Sequence, residues 1–108
     1  MAFTLEQLNA RVLERASAAP ELSYTARLVE AGIERCAKKL GEESAETIIA
    51  AVSRDRKATA AEAADLLYHL LVLLRAAGVG LDEVMAELDA RTGRTGLEEK
   101  ASRKGRPA

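Results

Sequence analysis

The chain has 108 residues and a mass of 11.6 kDa, which leaves room for one domain and excludes a two-domain enzyme or a long repeat array. Hydrophobic residues make up 48% of it but aromatic residues only 3%, with no Trp, so the core must be filled by Ala, Leu, Val and Ile at close backbone spacing, a composition suited to helices. The 16 basic and 17 acidic side chains leave a formal charge of -1, so no global field draws the chain to nucleic acid or to anionic lipid.

A domain of this size buries only about 60–70% of its unfolded surface, so pairing of two copies is expected. Cys36 is the only cysteine, which rules out an intramolecular disulfide and fits a reducing compartment. The first residues have no basic segment followed by an apolar run. The longest apolar run, 63–74, is broken by Asp65 and His69 and is too short to span a bilayer. A cytoplasmic protein with no membrane contact is expected.

Thr4 and Gln7 have the spacing of a capping box and Phe3 and Leu8 that of a hydrophobic staple, which predicts a first helix from Leu5 to about Ala18, ended by Pro20. Ser23 is placed to cap a short helix from Tyr24 to Glu30 that stops at Gly32. From Ile33 the apolar positions Ile33, Ala37, Leu40, Ile48 and Val52 recur on one face of a third helix reaching about Ser53. Gly41 inside it costs about 1 kcal/mol against Ala and leaves space for a close approach. After a polar turn, Thr59 and Glu62 predict a second capping box and a helix from Ala60 to about Ala77. Its middle is apolar nearly all round, as in a helix covered by its own chain and by a second subunit. Gly78 and Gly80 end it, and a fifth helix runs from Leu81 to about Arg91. Residues 1–92 thus form the helical domain. Residues 93–108, with basic side chains including Lys100 and Arg103, form a basic tail expected to be mobile.

The chemistry concentrates in acids. The third helix carries Glu42, Glu43 and Glu46, the fourth Glu62 and Asp65, and residues three apart share a helix face. Glu43 and Glu46 fall on the flank of the apolar stripe with Lys39 between them, Glu42 points further out, and Asp65 shares a stripe with leucines, where a bare carboxylate is costly. The connection between Glu46 and Glu62 lets the two helices pack antiparallel and face their acids, and converging carboxylates require cations. Hard oxygen donors without a His or Cys cluster favour Mg²⁺, with Mn²⁺ as the alternative, and magnesium takes phosphate oxygens, which points to a polyphosphate substrate. The competing reading is a solvated charged face with Glu62 engaged in capping; His69 then hydrogen-bonds in the core and Cys36 merely packs.

Glu42-Glu43-x-x-Glu46 followed by Glu62-x-x-Asp65 resembles the signature of the all-α MazG-like nucleotide pyrophosphatases, which split nucleoside triphosphates with Mg²⁺. The segments Ser23-Tyr24-Thr25-Ala26-Arg27-Leu28, Ala37-Lys38-Lys39-Leu40-Gly41-Glu42-Glu43, Ala63-Ala64-Asp65-Leu66-Leu67-Tyr68-His69-Leu70-Leu71 and Gly96-Leu97-Glu98-Glu99-Lys100-Ala101-Ser102-Arg103 are similar to the phosphoribosyl-ATP pyrophosphatase family, which serves the second step of histidine biosynthesis. The resemblance implies an all-α, four- to five-helix MazG-like bundle completed by dimerisation. It implies metal ligands at Glu43, Glu46, Glu62 and Asp65, with Glu42 assisting Glu43 and Glu46 in catalysis. It further implies substrate contacts from Lys39, Ser23, Tyr24, Thr25, Lys100 and Arg103. The expected substrate is a small-molecule nucleotide, phosphoribosyl-ATP, cleaved at its α–β phosphoanhydride. Two other readings stand beside it: a housecleaning pyrophosphatase of free (d)NTPs, and a non-catalytic helical dimerisation module. Many members of the family it resembles are fused to a cyclohydrolase domain, and the resemblance without that domain implies an expectation that the next step belongs to another chain.

Overall fold

Thr4 opens α1 (Leu5–Ala16) as its spacing predicts: its hydroxyl accepts from the Gln7 amide at 3.1 Å, and the Gln7 side chain accepts from the Thr4 amide at 2.8 Å. The computed structural model describes residues 2–93, and among these are five helices and no strand. The expected all-α fold is therefore what the chain adopts. α1 stops two residues earlier than its pattern predicts. Ser17 turns its hydroxyl back to the Leu13 carbonyl, and the buried Ser23 hydroxyl donates to the Arg15 carbonyl while accepting from the Ala26 amide. One side chain thus satisfies the end of α1 and the start of α2 (Tyr24–Ala31). Gly32, at φ 109, lets α3 (Ile33–Val52) follow without a loop.

The turn after α3 is tighter than expected. Arg54 adopts a left-handed φ of 60, its amide donates to the Ala51 carbonyl, and the Asp55 amide donates to the Ala50 carbonyl, the pairing that usually falls to a glycine. Asp55 then accepts from the Ala58 amide at 3.0 Å, so α4 (Arg56–Ala77) begins four residues before the position that Thr59 suggests. Thr59 lies within the helix and gives its hydroxyl to the Asp55 carbonyl, so no capping box forms there and Glu62 is released from that structural task. Gly78 closes α4 in the left-handed region, and the Glu83 side chain accepts from the Gly80 amide to start α5 (Leu81–Thr92). No single helix is long and apolar enough to cross a membrane.

Each helix contributes to one core: Val12 from α1, Leu28 from α2, Cys36 from α3, Leu71 and Val72 from α4, and Leu81 from α5. Burying a side chain such as Val12 is worth about 1.5–3 kcal/mol. α3 and α4 form a hairpin with the most extensive contact in the molecule, and α1 and α2 cover its open end. The face of α3 that turns inward is not the one its aliphatic periodicity predicts. Cys36, Glu43 and Ala50, spaced two turns apart, are buried, whereas Ile33, Ile48 and Val52 are 43%, 63% and 76% exposed. α3 turns its small and acidic side chains inward, so its branched aliphatic face is left outward. Leu67 and Leu70 of α4 are exposed as well, so the described residues cover α4 on one side only.

Candidate active site

The inward stripe of α3 carries Glu43 into the α3–α4 interface for the same reason that it buries Cys36: the two are separated by two turns. Glu43 is only 5% exposed. From α4, one turn apart, come the half-buried Glu62 and the exposed Asp65, and one oxygen from each of the three acids lies within 4.8 Å of the others. Asp65, expected among leucines, sits instead at the solvent side of this cluster. Glu43 Oε1 pairs with Lys39 Nζ at 3.4 Å, but Glu43 Oε2 and Glu62 Oε2 are buried with no hydrogen-bond partner. A buried carboxylate oxygen without a partner is costly, and like charges at this separation add repulsion. A divalent cation bound by oxygen relieves both, so the donor set fits a hard ion of the Mg²⁺ or Mn²⁺ kind better than zinc.

Lys39 reaches Glu42 as well, at 3.8 Å. The Tyr24 phenol, then the Glu43 carboxylate and more weakly Glu42, hold its ammonium above the ordinary lysine value. Glu42 and Glu46 are exposed on α3; Glu46 follows Glu43 by three residues on the same flank but lies outside the group of three. Of the four acids proposed as ligands, the fold therefore gathers Glu43, Glu62 and Asp65 and sets Glu46 at the rim. Cys36 is 1% exposed and donates to the Leu28 carbonyl, consistent with packing, and burial pushes its thiol pKa up.

Beyond Asp65 the helix ends organise a polar wall. The Asp65 carbonyl, which can only accept, receives Nδ1–H of His69 at 2.8 Å, so in the neutral ring Nε2 is the acceptor and takes the Tyr24 hydroxyl at 3.3 Å. With both ring nitrogens engaged, His69 orients Tyr24 rather than offering a metal ligand. Thr25, 2% exposed, shares a short hydrogen bond with the Tyr68 hydroxyl, and Arg15 Nη1 donates to the same hydroxyl at 3.4 Å. Of the segment 23–25, Tyr24 and Thr25 thus hydrogen-bond to His69 and Tyr68 of α4, while Ser23 is committed to the α1–α2 junction. Arg15 and Tyr68 escape a reading of the sequence because 53 positions separate them and no local pattern joins them. Lys100 and Arg103 lie outside the described residues.

Residues 5–92 match the family described as Phosphoribosyl-ATP pyrophosphohydrolase. The chain is 58% identical over 102 residues to the phosphoribosyl-ATP pyrophosphatase of Agrobacterium fabrum, covering 94% of this chain and 95% of that one. It is 57% identical to the enzymes of the same name from Methylobacterium nodulans and Rhizobium meliloti, again over 94% of its length and over 95% and 94% of theirs. The match spans all five helices and every acid of the cluster. The chain belongs to the phosphoribosyl-ATP pyrophosphohydrolase family.

Proposed function

We propose that this chain hydrolyses the α–β phosphoanhydride of 1-(5-phosphoribosyl)-ATP, giving phosphoribosyl-AMP and pyrophosphate in histidine biosynthesis, with Mg²⁺ as the activating ion. The observation that carries the metal is the pair of buried, unpartnered oxygens on Glu43 and Glu62 beside Asp65. Glu43, Glu62 and Asp65 hold the ion, and Glu46 completes the set from the rim. Bound there, a divalent cation supplies charge neutralisation for the polyphosphate and Lewis-acid stabilisation of its oxygens.

The chain's own residues do the rest. Glu42, exposed beside Lys39, orients the attacking water and accepts its proton. Lys39, an ammonium at neutral pH like any lysine, stabilises charge developing on the leaving pyrophosphate. Tyr24 and Thr25 hydrogen-bond a phosphate or a ribose of the substrate, and Ser23 holds the α1–α2 junction that positions them. Residues 93–108 form a separate basic segment whose Lys100 and Arg103 add phosphate contacts. Two copies pair through the outward aliphatic face of α3 and α4 in a cytoplasmic homodimer, because Ile48, Val52 and Leu67 otherwise stand in water.

One assay tests class and substrate together: pyrophosphate release from phosphoribosyl-ATP and from a panel of dNTPs, with Mg²⁺ and with EDTA. Preferred release from phosphoribosyl-ATP that EDTA abolishes is the expected result. Preferred release from a dNTP makes the chain a nucleotide-cleansing enzyme, and no release from any of them, with no saturable Mg²⁺ binding, reduces it to a helical interaction module.

A further inference from the structure

Next to the acidic cluster lies an open cavity of about 470 Å³, whose walls include Arg15, Tyr24, Thr25, Asp65, Tyr68 and His69. We propose that this cavity is the subsite for the ribose 5-phosphate arm of the substrate and that Arg15 holds the arm's phosphate. The inference rests on the reaction proposed above. It adds the group that distinguishes phosphoribosyl-ATP from ATP.

Position is the first argument. Asp65 belongs both to the metal-ligand cluster and to the cavity wall, so the cavity adjoins the place where the triphosphate is proposed to bind. A volume of this size falls in the range of small-molecule sites.

The chemistry of the walls is the second. The Arg15 guanidinium lies 5.9 Å from the Tyr68 ring centroid and makes one long hydrogen bond, to the Tyr68 hydroxyl. No carboxylate lies within ion-pair distance of it among the described residues. A guanidinium has five N–H donors in a fork that matches phosphate, so most of its capacity is free for a dianionic group. Around it stand hydroxyls suited to a ribose: the phenols of Tyr24 and Tyr68 and the Thr25 hydroxyl.

Rigidity is the third argument. Thr25 and His69 are 2% and 8% exposed, and the relay from Tyr24 through His69 to the Asp65 carbonyl fixes the wall to α4. The Tyr24 and Tyr68 rings meet His69 edge to face, at 77° and 75°, which holds the three rings of the wall against one another. Asp65 is the one carboxylate in this wall, and its charge is answered by the cation of the acidic cluster rather than by the arm's phosphate.

The test compares wild type with R15Q and R15K in three measurements: steady-state turnover of phosphoribosyl-ATP, product inhibition by pyrophosphate, and binding of ribose 5-phosphate followed by NMR of the His69 ring signals. R15Q is expected to raise KM about tenfold to a hundredfold with kcat nearly unchanged, and R15K to fall between. The pyrophosphate inhibition constant stays within about twofold, because pyrophosphate occupies the metal end, and the ribose 5-phosphate shifts disappear in R15Q. An unchanged KM, or a KM and a pyrophosphate constant that rise together, overturns the subsite. If wild type releases no pyrophosphate from phosphoribosyl-ATP yet binds ribose 5-phosphate through Arg15, the reaction falls and the subsite stands. Normal turnover with identical ribose 5-phosphate shifts in R15Q has the opposite meaning.

Discussion

Glu43 on α3 and Glu62 on α4 place oxygens within 4.8 Å of each other across the helix hairpin, and each keeps one Oε2 buried without a partner. Lys39 answers only one oxygen of Glu43. Folding therefore assembles an electrostatic deficit at the middle of its largest helix contact, one that a divalent cation would remove.

Replacing Glu62 by Gln relieves that repulsion while removing one ligand. Thermal unfolding of wild type is expected to shift up with Mg²⁺, by about 2–3 kcal/mol when the ion is present at a hundred times its dissociation constant. In Glu62→Gln the shift vanishes, the metal-free protein is at least as stable as wild type, and turnover drops by about a hundredfold or more. Equal Mg²⁺ shifts in both proteins would remove Glu62 from the site.

Arg54 occupies a left-handed backbone position that costs a side-chain-bearing residue about 1–2 kcal/mol and a glycine little. Part of that advantage is offset because glycine is more flexible in the unfolded chain. Arg54→Gly is expected to stabilise the fold by about 0.5–1 kcal/mol in urea unfolding without changing Mg²⁺ binding. Destabilisation would mean that the arginine side chain itself holds the turn between α3 and α4.

Cys36 gives a pH signature. Burial raises its pKa above the ordinary thiol value of 9.0, so the folded state binds this proton more tightly than the unfolded one. Its contribution to stability is complete below pH 9.0 and is lost progressively as the pH rises through 9.0 toward the higher folded value. In Cys36→Ala this alkaline loss diminishes, as urea unfolding between pH 8 and 10 would reveal. In native wild type, iodoacetamide labelling at pH 8 is slow and becomes fast in urea, and rapid native labelling would contradict the burial.

Much of the fold was legible because its signals are local. Thr4 with Gln7, Ser23 with Ala26 and Gly78 act within one turn, and they fix where helices start and stop whatever packs on them. Two local signals competed at α4, and Asp55 prevailed over Thr59 because Arg54 accepted a left-handed turn that sequence patterns assign to glycine. The acids of the site were legible by type and spacing, but which helix face turned inward was not. On α3 two faces repeat with helical period, one aliphatic and one built on Cys36, Glu43 and Ala50, and periodicity ranks the aliphatic face first. What decides is the partner surface, and among the described residues nothing covers the aliphatic face. The wall around Arg15, Tyr68 and Thr25 was illegible for the same reason, since its residues meet only after three helices have packed.

That outward aliphatic face yields the last prediction. Ile48 and Val52 are one turn apart on α3, 63% and 76% exposed, and an aliphatic surface of this kind gains free energy when it is covered. If a second copy covers it, wild type sediments as a dimer at micromolar concentration. Ile48→Lys with Val52→Lys then removes two aliphatic contacts, worth about 3 kcal/mol together, and weakens association by about a hundredfold. Because neither side chain belongs to the core of the single chain, helicity by circular dichroism persists in the variant. A wild type that sediments as a monomer at about a hundred micromolar would exclude a second copy as the occupant of this face. A variant that unfolds on dissociation would show instead that the single chain's core, with one or two residues from each helix, is too small to stand alone.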